Sequence, residues 1–123
     1  MILVDTSVWV DHLRAADSAL VRLLDTTQVV MHPFVLGELA LGNLPQRSLI
    51  LGTLQLLPQA VVASDEEVLN FIDRHRLVGL GIGYVDVHLL AATRLTAGAS
   101  LWTRDKSLRQ IAKRLALAAT VPD

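Results

Sequence analysis

The first nine residues read MILVDTSVW, residues 1–9. Residues 1–4 form an apolar run that is too short for a helix and is typical of a strand covered on both faces. Asp5 follows this run directly, and Thr6 or Ser7 can cap a helix that begins with Val8. A buried strand that passes at once into a polar turn and a helix predicts an α/β domain with a parallel sheet.

The apolar periodicity continues to the end of the chain and predicts the remaining elements. Further helices are expected from about Ser18, at 34–41, at 47–57, behind a capping box at 64–67, at 84–96 and from Ser107. Further buried strands are expected at 28–32 and 100–103. No internal repeat or long linker interrupts the pattern, so residues 1–123 are predicted to form a single domain.

The composition limits the classes of site that the chain can hold. Cysteine is absent, which excludes disulfide scaffolds, thiolate nucleophiles and cysteine-rich zinc sites. The formal net charge is -1, so the binding of a polyanion has to depend on a local cluster of basic residues. Charged residues make up 19% of the chain, below the usual share of about 25%. The apolar surplus at 44–57 therefore predicts a homodimer surface or a groove for a partner helix.

Nothing in the sequence predicts contact with a membrane. The longest uncharged stretch, residues 48–64, is interrupted by Gly52 and Pro58, which argues against a helix that spans a bilayer. The first residues lack the basic region and the long apolar run of a signal peptide, so a cytoplasmic location is expected. The four histidines are scattered and are expected to be packing or surface residues.

Four carboxylates stand at positions where an α/β sheet gathers a site. Asp5 and Asp105 follow predicted strands, and Asp86 lies at the start of a predicted helix. With histidine counted as neutral, Glu38 is the only charged side chain between Asp25 and Arg47. Its neighbours are apolar, so it is expected to be buried and to need a compensating charge.

These acids allow two interpretations. Each aspartate alone is more simply a helix cap, but capping does not explain Glu38. Four carboxylates in one place would repel, and a shared divalent cation would relieve the repulsion. All-oxygen ligation favours Mg²⁺ or Mn²⁺ over zinc, and those ions are typical of phosphate chemistry.

The same residues resemble a known family. The run from Ile2 to Trp9 resembles the opening of PIN-domain ribonucleases, especially the VapC-type toxins of toxin-antitoxin pairs. Later motifs agree in order, with Glu38 in a helix after the second strand, Asp86 within YVDVHLLAA and Asp105 within LWTRD. The resemblance covers the whole chain and implies a three-layer α/β/α nuclease domain with a central parallel sheet.

The resemblance also implies a mechanism and partners. Asp5, Glu38, Asp86 and Asp105 would be the catalytic residues and would surround one or two Mg²⁺ or Mn²⁺ ions that activate water to cleave RNA. Thr6, Ser7 and Thr103 could support the carboxylates with hydrogen bonds, although capping and strand packing also explain Ser7 and Thr103. A cognate antitoxin and a homodimer would be the protein partners.

A basic segment near the carboxylates is the predicted RNA contact. Residues 94–114 contain six basic residues and one acid, a formal charge of +5. The candidate RNA-binding residues are Arg104, Lys106, Arg109 and Lys113. A solvated helix face with favourable charge at its end explains the same pattern equally well.

Two other functions remain open from the sequence. A phosphoacceptor receiver-like domain normally needs an acidic pair after the first strand, whereas Asp5 is followed by Thr6 and Ser7. A non-catalytic α/β interaction module would leave Glu38 unexplained, and it would show no metal-dependent activity.

Overall fold

The computed structural model describes residues 1–121 and contains a central sheet of three parallel strands. These strands are β1 (Ile2–Val4), β2 (Val29–Val30) and β3 (Ser100–Trp102), in the order β2-β1-β3. Because β1 has a partner on each side, its apolar residues are enclosed, and Leu3 and Val4 are fully buried. The predicted strand at 28–32 is shorter than expected, since Met31 forms only an isolated bridge to Gln59.

Seven helices are found in the described part of the chain. They are α1 (Thr6–Arg14), α2 (Ser18–Asp25), α3 (Pro33–Ala40), α4 (Arg47–Gln55), α5 (Asp65–Arg74), α6 (Tyr84–Leu95) and α7 (Lys106–Arg114). Together with the parallel sheet they confirm the predicted three-layer α/β/α architecture. The prediction of a single domain extends to residue 123, and its last two positions, 122 and 123, lie outside the described residues.

Aspartates determine where several helices begin. Asp5 caps α1 by accepting a hydrogen bond from the Ser7 amide, so the prediction that Thr6 or Ser7 caps this helix was wrong. Asp105 caps α7, which begins at Lys106 rather than at Ser107. A carboxylate at the N-cap also interacts favourably with the positive end of the helix dipole, which stabilises the starts of α1 and α7. The capping box at Ser64 is confirmed.

The core is centred on α6, as its apolar pattern predicted. Seven consecutive residues of this helix, 87–93, are buried, and the helix packs against α5 and β3. Trp9 and Trp102 are also buried, in agreement with their apolar contexts. No helix within residues 1–121 combines the length and the apolar character needed to cross a membrane.

Two histidines belong to this core. His32 and His88 are both buried, and their rings lie 6.4 Å apart between centroids. His32 caps α3, because its Nδ1 accepts the Phe34 amide N–H at 3.0 Å. Burial and the neighbouring His88 lower the pKa of His32 to about 4. These two histidines are packing residues, as predicted.

Candidate active site

The four candidate carboxylates lie on turns and helices around the carboxyl edge of the sheet. Asp5 follows β1, Asp105 follows β3, Asp86 is in the first turn of α6, and Glu38 is on α3. Burial raises the pKa of Asp86, the Gly83 amide N–H opposes that shift, and the negative charges of the other three acids raise the pKa further. The fold therefore brings four acids that are distant in sequence into electrostatic range of one another.

Asp5 is the most enclosed of the four, with 6% of its surface exposed. Its Oδ2 accepts the Ser7 hydroxyl at 2.7 Å, the Thr103 hydroxyl at 2.8 Å and the Ser7 amide at 3.4 Å. Hydrogen bonds to an ionised acceptor are stronger than those between neutral groups. These three bonds therefore fix the carboxylate of Asp5 in one orientation. Within residues 1–121 no hydrogen bond reaches Oδ1, which keeps that oxygen available for another partner.

The two hydroxyls also join the turn after β1 to the turn after β3. Thr103 Oγ1 accepts the Asp105 amide N–H at 3.0 Å, and Ser7 Oγ accepts the Arg104 amide N–H at 3.0 Å. Ser7 Oγ and Thr103 Oγ1 are 3.4 Å apart. Since one hydroxyl contacts both Asp5 and the backbone of Asp105, the positions of these two acids are coupled.

Glu38 lies on α3, in the helix after the second strand as predicted, but it is not buried. The helix α3 buries Val35 and Leu39 and leaves Glu38 exposed, so the expectation that this carboxylate is buried was wrong. Its Oε1 accepts the Thr6 hydroxyl at 2.7 Å. The case for Glu38 as a site residue therefore depends on its proximity to the other acids and not on its burial.

Asp86 and Asp105 each cap or support a helix. Asp86 is half-buried, and its Oδ2 accepts the Gly83 amide at 3.2 Å. Asp105 is exposed, and its Oδ1 accepts the Leu108 amide at 2.9 Å. The capping interpretation therefore applies to all three aspartates, but each of these bonds uses a single carboxylate oxygen. A cap and a cation ligand can be the same residue.

The chemistry of the donor set fits a hard divalent cation. The charges acting on Asp86 are all negative, and an oxygen-only set favours Mg²⁺ or Mn²⁺. Among residues 1–121, however, no three His, Asp or Glu side chains are close enough together to hold an ion as they are placed. The four acids are held separately, each with its own hydrogen-bond donor.

Arg104 has a different environment from the other candidate RNA contacts. Its Nη1 lies 2.8 Å from Asp11 Oδ2 and its Nη2 lies 2.6 Å from Asp17 Oδ2, and these two hydrogen bonds help to raise its pKa. The guanidinium thus ties α1 and the N-cap of α2 to the turn after β3. A phosphate that binds Arg104 would compete with both ion pairs, and the RNA contact of Arg104 stays a prediction.

The other three basic candidates follow one another along α7. Lys106 and Lys113 are exposed and Arg109 is partly exposed. Arg109 and Lys113 line a recess of about 250 Å³ beside Thr103. The sequence had no local signal for Asp11 and Asp17, which pair with Arg104 across 93 and 87 positions.

Comparisons with known proteins agree with this architecture. The PIN domain family matches residues 2–114. Ribonuclease VapC32 of Mycobacterium tuberculosis, from strains CDC 1551 / Oshkosh and ATCC 25618 / H37Rv, is 52% identical over 109 residues, which are 89% of this chain and 88% of the relative. FitAcB from Neisseria gonorrhoeae superposes with a TM-score of 0.62 over 92% of this chain and 94% of that chain, at 22% identity, and this likeness supports the fold alone. The chain therefore belongs to the PIN-domain family, as a VapC-type member.

Proposed function

We propose that this protein is an Mg²⁺- or Mn²⁺-dependent endoribonuclease and the toxin of a toxin-antitoxin pair. The observation that carries the proposal is the convergence of negative charge from Asp5, Glu38 and Asp105 on half-buried Asp86. The relative that is 52% identical bears the name of a ribonuclease, which supports RNA as the substrate. A non-catalytic interaction module has no need for four mutually repelling carboxylates at one edge of the sheet.

The four acids have different surroundings and therefore different proposed roles. Asp5 and Asp86 are the more enclosed pair and are proposed as the main cation ligands. Glu38 is exposed and held by Thr6, so it completes the site or orients water, and Asp105 acts directly or through a water. When bound, the cation supplies positive charge that makes water a better nucleophile and stabilises the leaving oxygen.

The hydroxyl groups support this arrangement through hydrogen bonds. The hydroxyls of Ser7 and Thr103 both donate to Oδ2 of Asp5, which fixes that oxygen and leaves Oδ1 available. Thr6 restricts the longer side chain of Glu38 in the same way. Supporting partners of this kind typically change metal affinity or activity about 10–100-fold when removed.

RNA is proposed to approach along α7. This helix begins beside the candidate acids at Asp105 and carries Lys106, Arg109 and Lys113 along its length. Each basic side chain can contact a phosphate without reading sequence. We place this protein in the cytoplasm, where its RNA substrate would be found.

An apolar cleft between α1 and α4 is the proposed antitoxin surface. It has a volume of about 320 Å³ and is lined by Trp9, Leu49 and Ile50, among others. Leu49 on α4 is 65% exposed, as expected of a helix that lacks its partner. An amphipathic antitoxin helix fits such a groove, and the same apolar surplus supports a homodimer.

The carboxylate site also suggests how an antitoxin inhibits the enzyme. An arginine from the antitoxin could replace the positive charge of the cation among the four acids. Substituting that arginine should abolish inhibition while the two proteins still associate through the apolar cleft. Undiminished inhibition by the substituted antitoxin would count against this mode.

The test of the proposed function is cleavage of structured RNAs with and without Mg²⁺ or Mn²⁺. Asp5→Asn and Glu38→Gln keep the side-chain shape and remove one ligand charge each, so each should lower cleavage by about 100-fold, at the upper end of ligand-shell effects. Asp25→Asn is the matched control, because Asp25 is an exposed acid at the end of α2. Wild-type rates in the Asp5 and Glu38 variants, or cleavage that EDTA does not affect, would reject the proposal.

A further inference from the structure

Three helices end in arginines that lie near one another. Arg74, Arg94 and Arg114 stand in the last turns of α5, α6 and α7. Arg114 Nη2 donates to the backbone carbonyl of His75 at 2.7 Å, and Arg94 Nη2 donates to that of Leu115 at 3.0 Å. The three guanidinium groups are therefore gathered around the C-terminal end of α5.

A cleft opens between α5 and α6 beside these arginines. Its volume is about 580 Å³, within the range of sites that bind small molecules, and its basic lining consists of Arg74, His75 and Arg94. The ring of Phe71, another lining residue, lies 4.3 Å from that of His75 between centroids. Asn70 adds an amide that can both donate and accept. We call this space the arginine cleft.

The positive charge of the arginine cleft is not neutralised within the described residues. In residues 1–121 no carboxylate lies within ion-pair distance of Arg74, Arg94 or Arg114. Glu67 also lines the cleft and keeps its negative charge, so Arg74 and Arg94 outnumber it by one positive charge. The cleft therefore has a surplus of cationic donors.

The environment of His75 reports the same surplus. Burial lowers its pKa, and the positive charges of Arg94, Arg74 and Arg114 lower it further. Three cations that act on one imidazole form a local positive field in a chain whose net charge is -1. Such a field attracts anions.

Stabilisation of the helix ends explains only part of this arrangement. An arginine in a last turn interacts favourably with the negative end of its helix, and the bonds of Arg94 and Arg114 to carbonyls fit that role. Arg74 has no side-chain hydrogen bond or ion pair within the described residues, so its guanidinium keeps its donors for another partner. Helix stabilisation also does not require Arg74 and Arg94 to line one cleft.

We infer that the arginine cleft binds a backbone phosphate of RNA away from the carboxylate site. The naming of RNA rests on the proposed function, and the exposed guanidinium of Arg74 beside that of Arg94 suits a phosphate group. Arg94 lies eight residues after Asp86 on the same helix, which is about 12 Å at 1.5 Å per residue. One RNA strand can therefore contact both places when it is a few nucleotides long.

The test is the salt dependence of RNA binding by the intact chain in buffer with EDTA, where cleavage does not occur. A fluorescein-labelled unstructured RNA is titrated with wild type, Arg74→Gln, Arg74→Gln/Arg94→Gln and the control Arg22→Gln, which changes an exposed arginine on α2. Loss of this one phosphate contact should reduce the slope of log K against log salt by about 0.7 in the double variant, and Arg74→Gln alone should give part of that reduction.

Three results would overturn the inference. The first is that wild type does not bind the RNA, and the second is that the Arg74 variants match Arg22→Gln in affinity and slope. The third is that the Arg74 variants lose binding only to a labelled polyglutamate peptide, which would assign the cleft to an acidic protein segment. If the double variant is unfolded in a thermal melt, Arg74→Gln alone decides, because Arg74 has no partner in the described fold. A separate cleavage assay tests the proposed function, which fails if wild type shows no metal-dependent cleavage.

Discussion

Replacing Thr103 with valine tests the hydrogen-bond network that fixes the carboxylate site. The Thr103 side chain is 3% exposed, and its hydroxyl donates to Asp5 Oδ2 at 2.8 Å while accepting the Asp105 amide N–H at 3.0 Å. Valine has a similar size and the same branching at Cβ, so Thr103→Val removes both bonds without creating a large cavity. The variant therefore isolates the contribution of one hydroxyl.

The expected loss of stability comes mainly from Asp5. A hydrogen bond to a charged group is worth about 1.5–3 kcal/mol, and the enclosed carboxylate of Asp5 keeps only its bonds from Ser7. The amide of Asp105 belongs to an exposed residue and can bind water, so its loss adds little. The free energy of unfolding should therefore fall by about 2 kcal/mol.

Urea denaturation of Thr103→Val and of Thr93→Val provides the measurement and its control. Thr93 is equally buried at 2% exposure, but its hydroxyl donates only to the Leu89 carbonyl of its own helix. That carbonyl belongs to the helical ladder, so Thr93→Val should lose less than about 1 kcal/mol. In an Asp5→Asn background the effect of Thr103→Val should shrink to about 1 kcal/mol, because the acceptor is neutral. Equal losses for the two threonine variants would refute this account of the network.

Two further predictions concern stability away from the site. The pKa of His32 is lowered by burial and by His88 from 6.5 to about 4, so the unfolded chain takes up a proton before the native state does. The contribution of His32 to the free energy of unfolding should be complete above pH 6.5 and should fall by up to about 3 kcal/mol as the pH drops toward 4. His32→Asn keeps a cap acceptor and should remove this pH dependence, which urea titrations at several pH values measure. Ala116 has φ +58° after α7, so Ala116→Gly should raise the melting temperature through about 0.5–1 kcal/mol of relieved strain, whereas Gly98→Ala at φ +70° should lower it by a similar amount. A lower melting temperature for Ala116→Gly, or a higher one for Gly98→Ala, would contradict the strain argument.

The elements that depend on local sequence could be predicted. The apolar run of β1, the capping box at Ser64 and the continuously apolar α6 each carry their signal within a few adjacent residues. The start of α1 was less certain because Asp5, Thr6 and Ser7 can all cap a helix, and only the folded structure shows which one accepts the bond.

The exposure of Glu38 could not be predicted for a related reason. The residues around it on α3 are apolar on nearly every side, so the helix has no polar face that would reveal its orientation. The packing of α3 on the rest of the fold buries Val35 and Leu39 and turns Glu38 outward. The position of Glu38 along the chain made it a candidate site residue, whereas its apolar sequence neighbours wrongly predicted that it is buried.

The role of Arg104 depends on contacts between distant parts of the chain. Asp11 and Asp17 lie near the first two helices, while Arg104 follows the last strand, and no periodicity connects them. A basic residue within a segment of charge +5 looks like part of an RNA surface when only its neighbours in sequence are considered. Parallel pairing of β3 with β1 brings the two regions together and determines the partner of this guanidinium.

The local hydrogen bonds explain how four like charges can share one edge of the sheet in the folded chain. Each carboxylate has a donor of its own from the protein: hydroxyls for Asp5 and Glu38, and backbone amides for Asp86 and Asp105. These bonds compensate part of the desolvation and repulsion without neutralising any charge. The folded chain therefore keeps an uncompensated negative field at this edge, and that field is the physical basis for proposing that a cation binds there.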